Sequence, residues 1–384
     1  MHQFPTKSFD FVILSQTLQA FYNPEKVLKD LLRIGKSVII SIPNFGYWKV
    51  RTSLLFFGKM PVTKTLPNSW YNTPNLHMCT IKDFFDFCIE KKININKVVG
   101  VNEESTSEIK KSNLEIKNLF SKVGIFLLKK MLNVSIIKCL SDNYSYLLKD
   151  ETTNTVGIVD PSEFTTVDKE IEKKYKKLDF ILNTHHHDDH VGGNLELKEK
   201  YKSKIVCSFL DKGIIKNTDI NLKDGEIFSF GKTDFRVLHI PGHTLGHIAF
   251  YSKNAKIIFS GDTLFSLGCG RIFEGSFEQM FSSIEKIKNL PPDTLIYCGH
   301  EYTEKNGEFA ISIDDQNKVL KEKIKNVASK IEQGLPSIPV SLKEELDTNI
   351  FLRCENEKIK SKLQMHNASK LEVFTKLRNL KDQF

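Results

Sequence analysis

No two of the seven cysteines in this 384-residue chain are spaced Cys-x-x-Cys. Their number is odd, so no disulfide framework is indicated and the thiols read as reduced. No apolar run reaches about 18 residues, so no helical membrane span is indicated. The first residues, Met1 to Asp10, lack a charged stretch followed by an apolar one, so a cytoplasmic protein is expected rather than a secreted one. There are no internal repeats. No basic–aromatic motif reads nucleic acid, so neither nucleic acid nor membrane is expected as a partner. A phosphate loop is also missing. Gly35-Lys36-Ser37 follows a helical pattern, and the position five before Gly35 is Asp30 rather than glycine. Against these absences stand a 40% apolar content, enough for ordinary cores, and a length that suggests two or three domains. The net charge of +8 fits an acidic small-molecule substrate, or equally a lysine-rich composition.

The densest chemistry lies in Thr184-His185-His186-His187-Asp188-Asp189-His190. It follows the strand-like run Leu178 to Leu182 and precedes Gly192-Gly193. Side chains alternate along an extended chain, so residues 185, 187 and 189 point the same way. A lone His-x-His pair is explained as well by a solvated turn. His185, His187, Asp189 and His190 together are metal-ligand types suited to zinc, iron or manganese. Three later positions repeat the pattern of a ligand at a strand end beside a glycine: His243 in Pro241-Gly242-His243, Asp262 in Gly261-Asp262, and His300 in Gly299-His300. Five histidines and two aspartates exceed one tetrahedral zinc site and suit two metals sharing a carboxylate.

From Met131 to Phe384 the chain resembles the metallo-β-lactamase superfamily and, within it, the glyoxalase II (hydroxyacylglutathione hydrolase) family. The H-x-H-x-D-H motif marks the superfamily. The loop Gly268-Cys269-Gly270-Arg271-Ile272-Phe273-Glu274-Gly275, the run His300-Glu301-Tyr302-Thr303, the ending Lys381-Asp382-Gln383-Phe384 and the opening Asp142-Asn143-Tyr144 resemble glyoxalase II. The resemblance implies an αββα sandwich over 131–300 and a C-terminal helical, glutathione-binding domain over 301–384. It implies two divalent metals per chain, zinc first, with iron or manganese as alternatives. His185, His187 and His243 would hold one, Asp189, His190 and His300 the other, and Asp262 would bridge. Asp189 and Asp262 are the catalytic carboxylates of this reading. A bridging hydroxide would attack the thioester of S-D-lactoylglutathione, giving glutathione and D-lactate, the second step of methylglyoxal detoxification. The glutathione contacts carried over are Arg271, Phe273, Tyr302, Asn306, Arg378 and Lys381. Some members have lysine and tyrosine at the first two positions; Phe273 has no hydroxyl, so the loss of one hydrogen bond to the tripeptide is expected. Cys269, with no neighbouring histidine in sequence, reads as a small loop residue rather than a catalytic thiol. The alternatives within the superfamily are a lactamase, a ribonuclease or a persulfide dioxygenase that uses one iron.

Residues 1–130 read as α/β, with strands at Phe11–Leu14, Ser37–Ile42 and Ile93–Val99. Helices are expected over Pro24–Ile34 and after the capping-box start Thr80-Ile81-Lys82-Asp83. Phe11 to Ala20, Pro43-Asn44-Phe45-Gly46, Trp70 to Asn75 and the tail Asn118 to Leu128 resemble the C-terminal half of the methyltransferase-like MetW family. The resemblance implies a truncated Rossmann-like half without the S-adenosylmethionine loop, hence a non-catalytic interaction module with an open strand edge. The polar stretch Val101–Lys117 is expected to be a linker or a loop, and the junction falls near Lys130. From 131 on, strands are expected at Val134–Ile137, Tyr144–Leu148, Val156–Val159, Leu178–Leu182, Ile205–Ser208, Phe235–Ile240, Ile248–Tyr251, Ile257–Phe259 and Leu295–Tyr297. Helices are expected over Phe277–Lys288 and beyond Thr303.

Overall fold

The computed structural model describes residues 4, 8–63, 66–69, 71–91, 93–129 and 131–384. Trp70 and Lys130, and Met1 to Lys7 apart from Phe4, lie outside the described residues. The chain divides into two compact units, Met1–Met131 and Leu132–Phe384.

In the first unit, strands β1 (Phe9–Ser15), β2 (Gly35–Pro43), β3 (Asn94–Val101), β4 (Thr106–Glu108) and β5 (Val123–Lys129) form one sheet in the order β1-β2-β5-β3-β4. β1 and β2 are parallel, and β5 runs antiparallel to both β2 and β3. Helix α1 (Pro24–Ile34) starts where the Asn23 side chain accepts from Lys26 N and Pro24 presets the first turn. It buries Leu28, Leu31 and Leu32 against Val38, Ile40, Phe126 and Leu128. The chain then enters β2 with no intervening loop. Gly35 permits this, because a Cβ there would meet Val12 Cγ2 at 2.8 Å. Helix α2 (Trp48–Phe57) has no period in its apolar residues and was not foreseen. Helix α3 (Ile81–Glu90) carries the expected capping box from Thr80 and Asp83. The polar stretch expected to be a linker or loop contains β4 and the start of α4 (Leu114–Phe120); Ile109 and Leu114, both buried, supply the anchors that its composition conceals. β1 is the open edge implied by the resemblance, with Phe11 and Ile13 exposed.

The second unit is a sandwich of two sheets with helices on both outer faces. One sheet has strands β6 (Leu132–Cys139), β7 (Asn143–Asp150), β8 (Val156–Val159), β9 (Phe180–Leu182), β10 (Lys204–Ser208) and β11 (Ile220–Leu222), in that spatial order. The other runs β12 (Ile227–Phe230), β13 (Thr233–His239), β14 (Ile248–Ser252), β15 (Ile257–Gly261), then past the short hairpin β16 (Leu264–Phe265) and β17 (Gly268–Cys269) to β18 (Leu295–Cys298) and β19 (Val340–Ser341). Period-two alternation builds the layers. Tyr146 and Leu148 join Phe235, Phe250 and Phe259 between the sheets, while Leu147 packs with Val167 and Ile171 of helix α5 (Phe164–Lys174). The opposite face takes Met280, Ile284 and Ile287 of Phe277–Lys288 against Ala249, Ile258 and Ile296. The helices after Thr303 share that outer core through Phe309, Leu320, Phe351, Phe374 and Leu377. Among the described residues no helix is long and apolar enough to cross a membrane.

Candidate metal centre

Strand ends deliver the ligand candidates to one place. His185 and His187 follow β9, Asp189 and His190 lie on the short helix Asp188–Val191, and His243, Asp262 and His300 follow β13, β15 and β18. His187 Nδ1 lies 3.1 Å from His185 Nε2 and 3.0 Å from His243 Nε2. His190 Nε2 lies 3.3 Å from His300 Nε2, and Asp189 Oδ2 is 3.4 Å from the latter. Asp262 stands between the two groups. Its Oδ2 is 3.5 Å from His243 Nε2 and 3.2 Å from His300 Nε2, and its Oδ1 is 3.4 Å from His190 Nε2. Tetrahedral ligands about 2.0–2.1 Å from a zinc sit about 3.3 Å apart, so these spacings suit cations. Asp262 Oδ1 is buried with no hydrogen-bond partner, a cost that a bound cation removes.

Burial pushes the imidazoles of His185, His187 and His243 below their usual range, which keeps them neutral donors. Burial opposes the charge of Asp262, yet His190 and His300 hold its carboxyl well below the usual carboxylate range.

The outer nitrogens are engaged as metal-ligating histidines require. His190 Nδ1 lies 3.1 Å from Asp160 Oδ2, His300 Nδ1 2.7 Å from Asp142 Oδ1, and His243 Nδ1 2.8 Å from the Arg271 carbonyl. His185 Nδ1 is 3.0 Å from Thr184 Oγ1, which donates to Asp160 Oδ2. Asp160 and His247 were missed from sequence. Asp160 carries the same strand-end signature, following β8, and adopts φ +48. His247 is buried; its ring stacks on His185 at 4.6 Å, and its Nε2 accepts from Asp262 N at 3.1 Å. Gly261 (φ +47) makes room, since a Cβ there would meet His247 Cε1 at 2.7 Å.

The six residues suggested for glutathione divide into two sets. Phe273 is exposed with its ring 5.2 Å from that of His243, and the Arg271 guanidinium lies 5.6 Å above Phe273. Tyr302 stacks on His300 at 4.8 Å. Lys381 Nζ sits 5.3 Å from the Phe309 ring and donates to the Lys305 carbonyl. The other two lie behind the loop. Asn306 donates to the Ser266 carbonyl at 3.1 Å. Arg378, only 5% exposed, donates to the Cys269 carbonyl at 2.7 Å and to Asp382 at 3.0 Å. Cys269 is itself buried, and burial pushes its thiol up to about 11.

The same loop is gripped by two more residues that sequence did not reveal. Glu345 accepts from Ser266 Oγ (3.1 Å) and Leu267 N (2.8 Å) and pairs with Lys323. Asn349 donates to the Gly268 carbonyl at 3.0 Å.

A double sheet with a histidine–aspartate cluster at its strand ends defines a class, the metallo-beta-lactamase superfamily, whose family model matches residues 141–300. The site is accordingly a divalent-metal centre. Residues 301–384 match the model of the hydroxyacylglutathione hydrolase C-terminus, and residues 1–128 that of the methionine biosynthesis protein MetW. The hydroxyacylglutathione hydrolase of Pelagibacter ubique (strain HTCC1062) is 50% identical over 253 residues, 66% of this chain and 100% of that protein. Its counterpart in Methylococcus capsulatus is 43% identical, over 66% of this chain and 99% of that one. The chain belongs to the hydroxyacylglutathione hydrolase family. Among solved structures, ETHE1 from Myxococcus xanthus aligns with a TM-score of 0.47 and 23% identity, covering 65% of this chain and 91% of that one.

Proposed function

We propose that this enzyme hydrolyses S-2-hydroxyacylglutathione thioesters, S-D-lactoylglutathione foremost, to glutathione and the 2-hydroxy acid at a two-metal centre. The observation that carries the two-metal reading is Asp262 standing between a three-histidine group and an Asp189–His190–His300 group. Two divalent cations there, zinc first and iron or manganese as alternatives, lower the pKa of water to about 7 and polarise the thioester carbonyl. The chain's own part is positioning. His185, His187 and His243 present neutral nitrogens to one side; Asp189, His190 and His300 serve the other. His247 holds the Asp262 backbone in register by accepting the Asp262 N–H at its Nε2. Phe273 shields the histidine triad from solvent on one side, and Tyr302 does so at His300. Arg271 and Lys381 supply positive charge for the tripeptide carboxylates. A thiolate leaves readily, so no general acid is required. Arg378 and Asn306 act on glutathione through the loop they hold. We place the glutathione-binding segment at 301–384, the catalytic domain at 131–300, and a non-catalytic MetW-like module at 1–130. Seven unpaired thiols suit a reducing compartment, in keeping with a cytoplasmic enzyme.

The test is thiol release from S-D-lactoylglutathione by purified full-length chain, with metal analysis of the same sample. Turnover with about two metals per chain is expected. One iron per chain with oxygen-dependent turnover of a persulfide would overturn the reading.

Two further outcomes are expected. Burial, with Arg378 beside it, lowers the Lys381 ammonium to about 8. Its charge is therefore present below that pH and lost above it, so KM should climb as pH rises through about 8 while kcat changes less. Lys381→Arg keeps the charge and should flatten the climb. An unchanged KM across that range would remove Lys381 from the binding site. Secondly, a chain beginning at Met131 should retain kcat/KM within about tenfold, or about 1.4 kcal/mol of transition-state stabilisation. A larger loss would make the first unit part of the catalytic apparatus.

A further inference from the structure

The last turn of α2 presents Leu54, Leu55, Phe56 and Phe57 at 44%, 76%, 73% and 75% exposure. The helix is anchored at its other end by buried Val50, and Gly58 (φ +61) caps it. Monomeric proteins rarely leave such a contiguous apolar patch bare, so it marks an interaction site. Its geometry and its charge together narrow the occupant.

Successive helical residues are 100° apart, so these four side chains spread over about 300° of the helix circumference. One flat protein face covers a single stripe of a helix. A fluid apolar medium surrounds the whole tip. Trp48 at the helix start is exposed too, and Val62 follows just beyond the cap. Along this stretch of the sequence the charge has one sign. Between Asp30 and Asp83 the sequence has no aspartate or glutamate and seven lysines and arginines. Of these, Lys49, Arg51 and Lys59 are exposed on or beside α2. An aromatic and aliphatic tip inside a basic collar is the composition that docks on anionic lipid headgroups. The absence of a spanning helix among the described residues concerns insertion across a bilayer and leaves attachment to its surface untouched.

We propose that α2 is a docking tip for an anionic lipid surface, placing Leu54 to Phe57 at the acyl boundary with Lys49, Arg51 and Lys59 at the headgroups. The first unit then supplies location to an enzyme whose chemistry lies wholly in the second.

The test is sedimentation of the full chain with vesicles of phosphatidylcholine alone and of phosphatidylcholine containing about one phosphatidylglycerol in three. Retention at least about tenfold greater on the anionic vesicles is expected, with most of it lost in about 0.5 M salt. Leu55→Ser with Phe56→Ser and Phe57→Ser should remove retention. Lys49→Glu with Lys59→Glu, which keeps the apolar tip, should remove the preference for anionic vesicles. Both variants should keep wild-type helix content and thioester hydrolysis. Equal retention on both vesicles, or none on either, overturns the proposal. So does retention that survives in the serine variant. A wild-type dimer in the absence of lipid, dissolved by the serine variant, would overturn it too and assign the tip to a second copy of the chain.

Discussion

Asp262→Asn is expected to lower hydrolysis of S-D-lactoylglutathione by about a thousandfold or more and to reduce metal content at both positions. The carboxylate reaches the two ligand groups at once, 3.5 Å from His243 Nε2 and 3.2 Å from His300 Nε2. A bridging carboxylate offsets the repulsion of two dications held about 3.5–4 Å apart. The amide keeps the shape but not the charge, and its NH2 turns hydrogens toward positions that need a donor of electrons. His247 would still receive the backbone N–H of residue 262, so the loop should stay in place and the loss should be electrostatic. His300→Ala makes the contrast. It removes a ligand from one group and leaves His185, His187 and His243 intact, so about one metal should remain. Elemental analysis beside the activity assay reads both variants. Near-wild-type turnover with two metals in Asp262→Asn would end the bridging assignment.

What sequence reveals of this site follows a simple division. The ligand candidates are legible because each stands at the end of an apolar run, and glycine flanks the later three, so local pattern alone points to a turn carrying chemistry. The sandwich is legible for the same reason: runs such as Val156–Val159 and Ile257–Phe259 are apolar throughout because both of their faces are covered. A partner across a long separation leaves no such mark. Asp160 follows β8 as the ligand candidates follow their strands, but nothing local shows that it will reach His190 thirty positions away. His247 is visible as a histidine four beyond His243, but nothing local shows that it will stack beneath His185. Arg378 reads by resemblance as a glutathione contact, and in the structure its Nη1 is already given to a backbone carbonyl 109 positions earlier in the chain. Helix α2 escaped because an apolar tip exposed on all sides has no helical period.

The loop that carries Arg271 and Phe273 depends on a buried ion pair, and its removal should have the second large effect. Glu345 is fully buried, and Lys323, at 8% exposure, is its cationic partner. Glu345 also receives Leu267 N, at a residue with φ +59, and Ser266 Oγ. Glu345→Leu therefore strands an ammonium, an N–H and a hydroxyl in the interior. Breaking a buried pair from one side costs about 3–5 kcal/mol, which for a unit of this size lowers the melting temperature by about 10 °C. Lys323→Met should cost less. The carboxylate keeps Leu267 N, Ser266 Oγ and Asn349 Nδ2 as donors, and the methionine fills the same groove with apolar atoms. Lys323→Met combined with Glu345→Gln should recover part of the stability lost in Glu345→Leu, because the amide oxygen still accepts from Leu267 and no charge is left alone. The substrate side separates positioning from stability. In the double variant, assayed well below its melting temperature, KM should rise more than kcat falls if, as proposed, the loop meets glutathione away from the thioester. Denaturation curves for the three variants and their steady-state constants give both readouts. Equal destabilisation by Lys323→Met and Glu345→Leu would show that the ammonium, rather than the loop N–H, is the group the carboxylate serves.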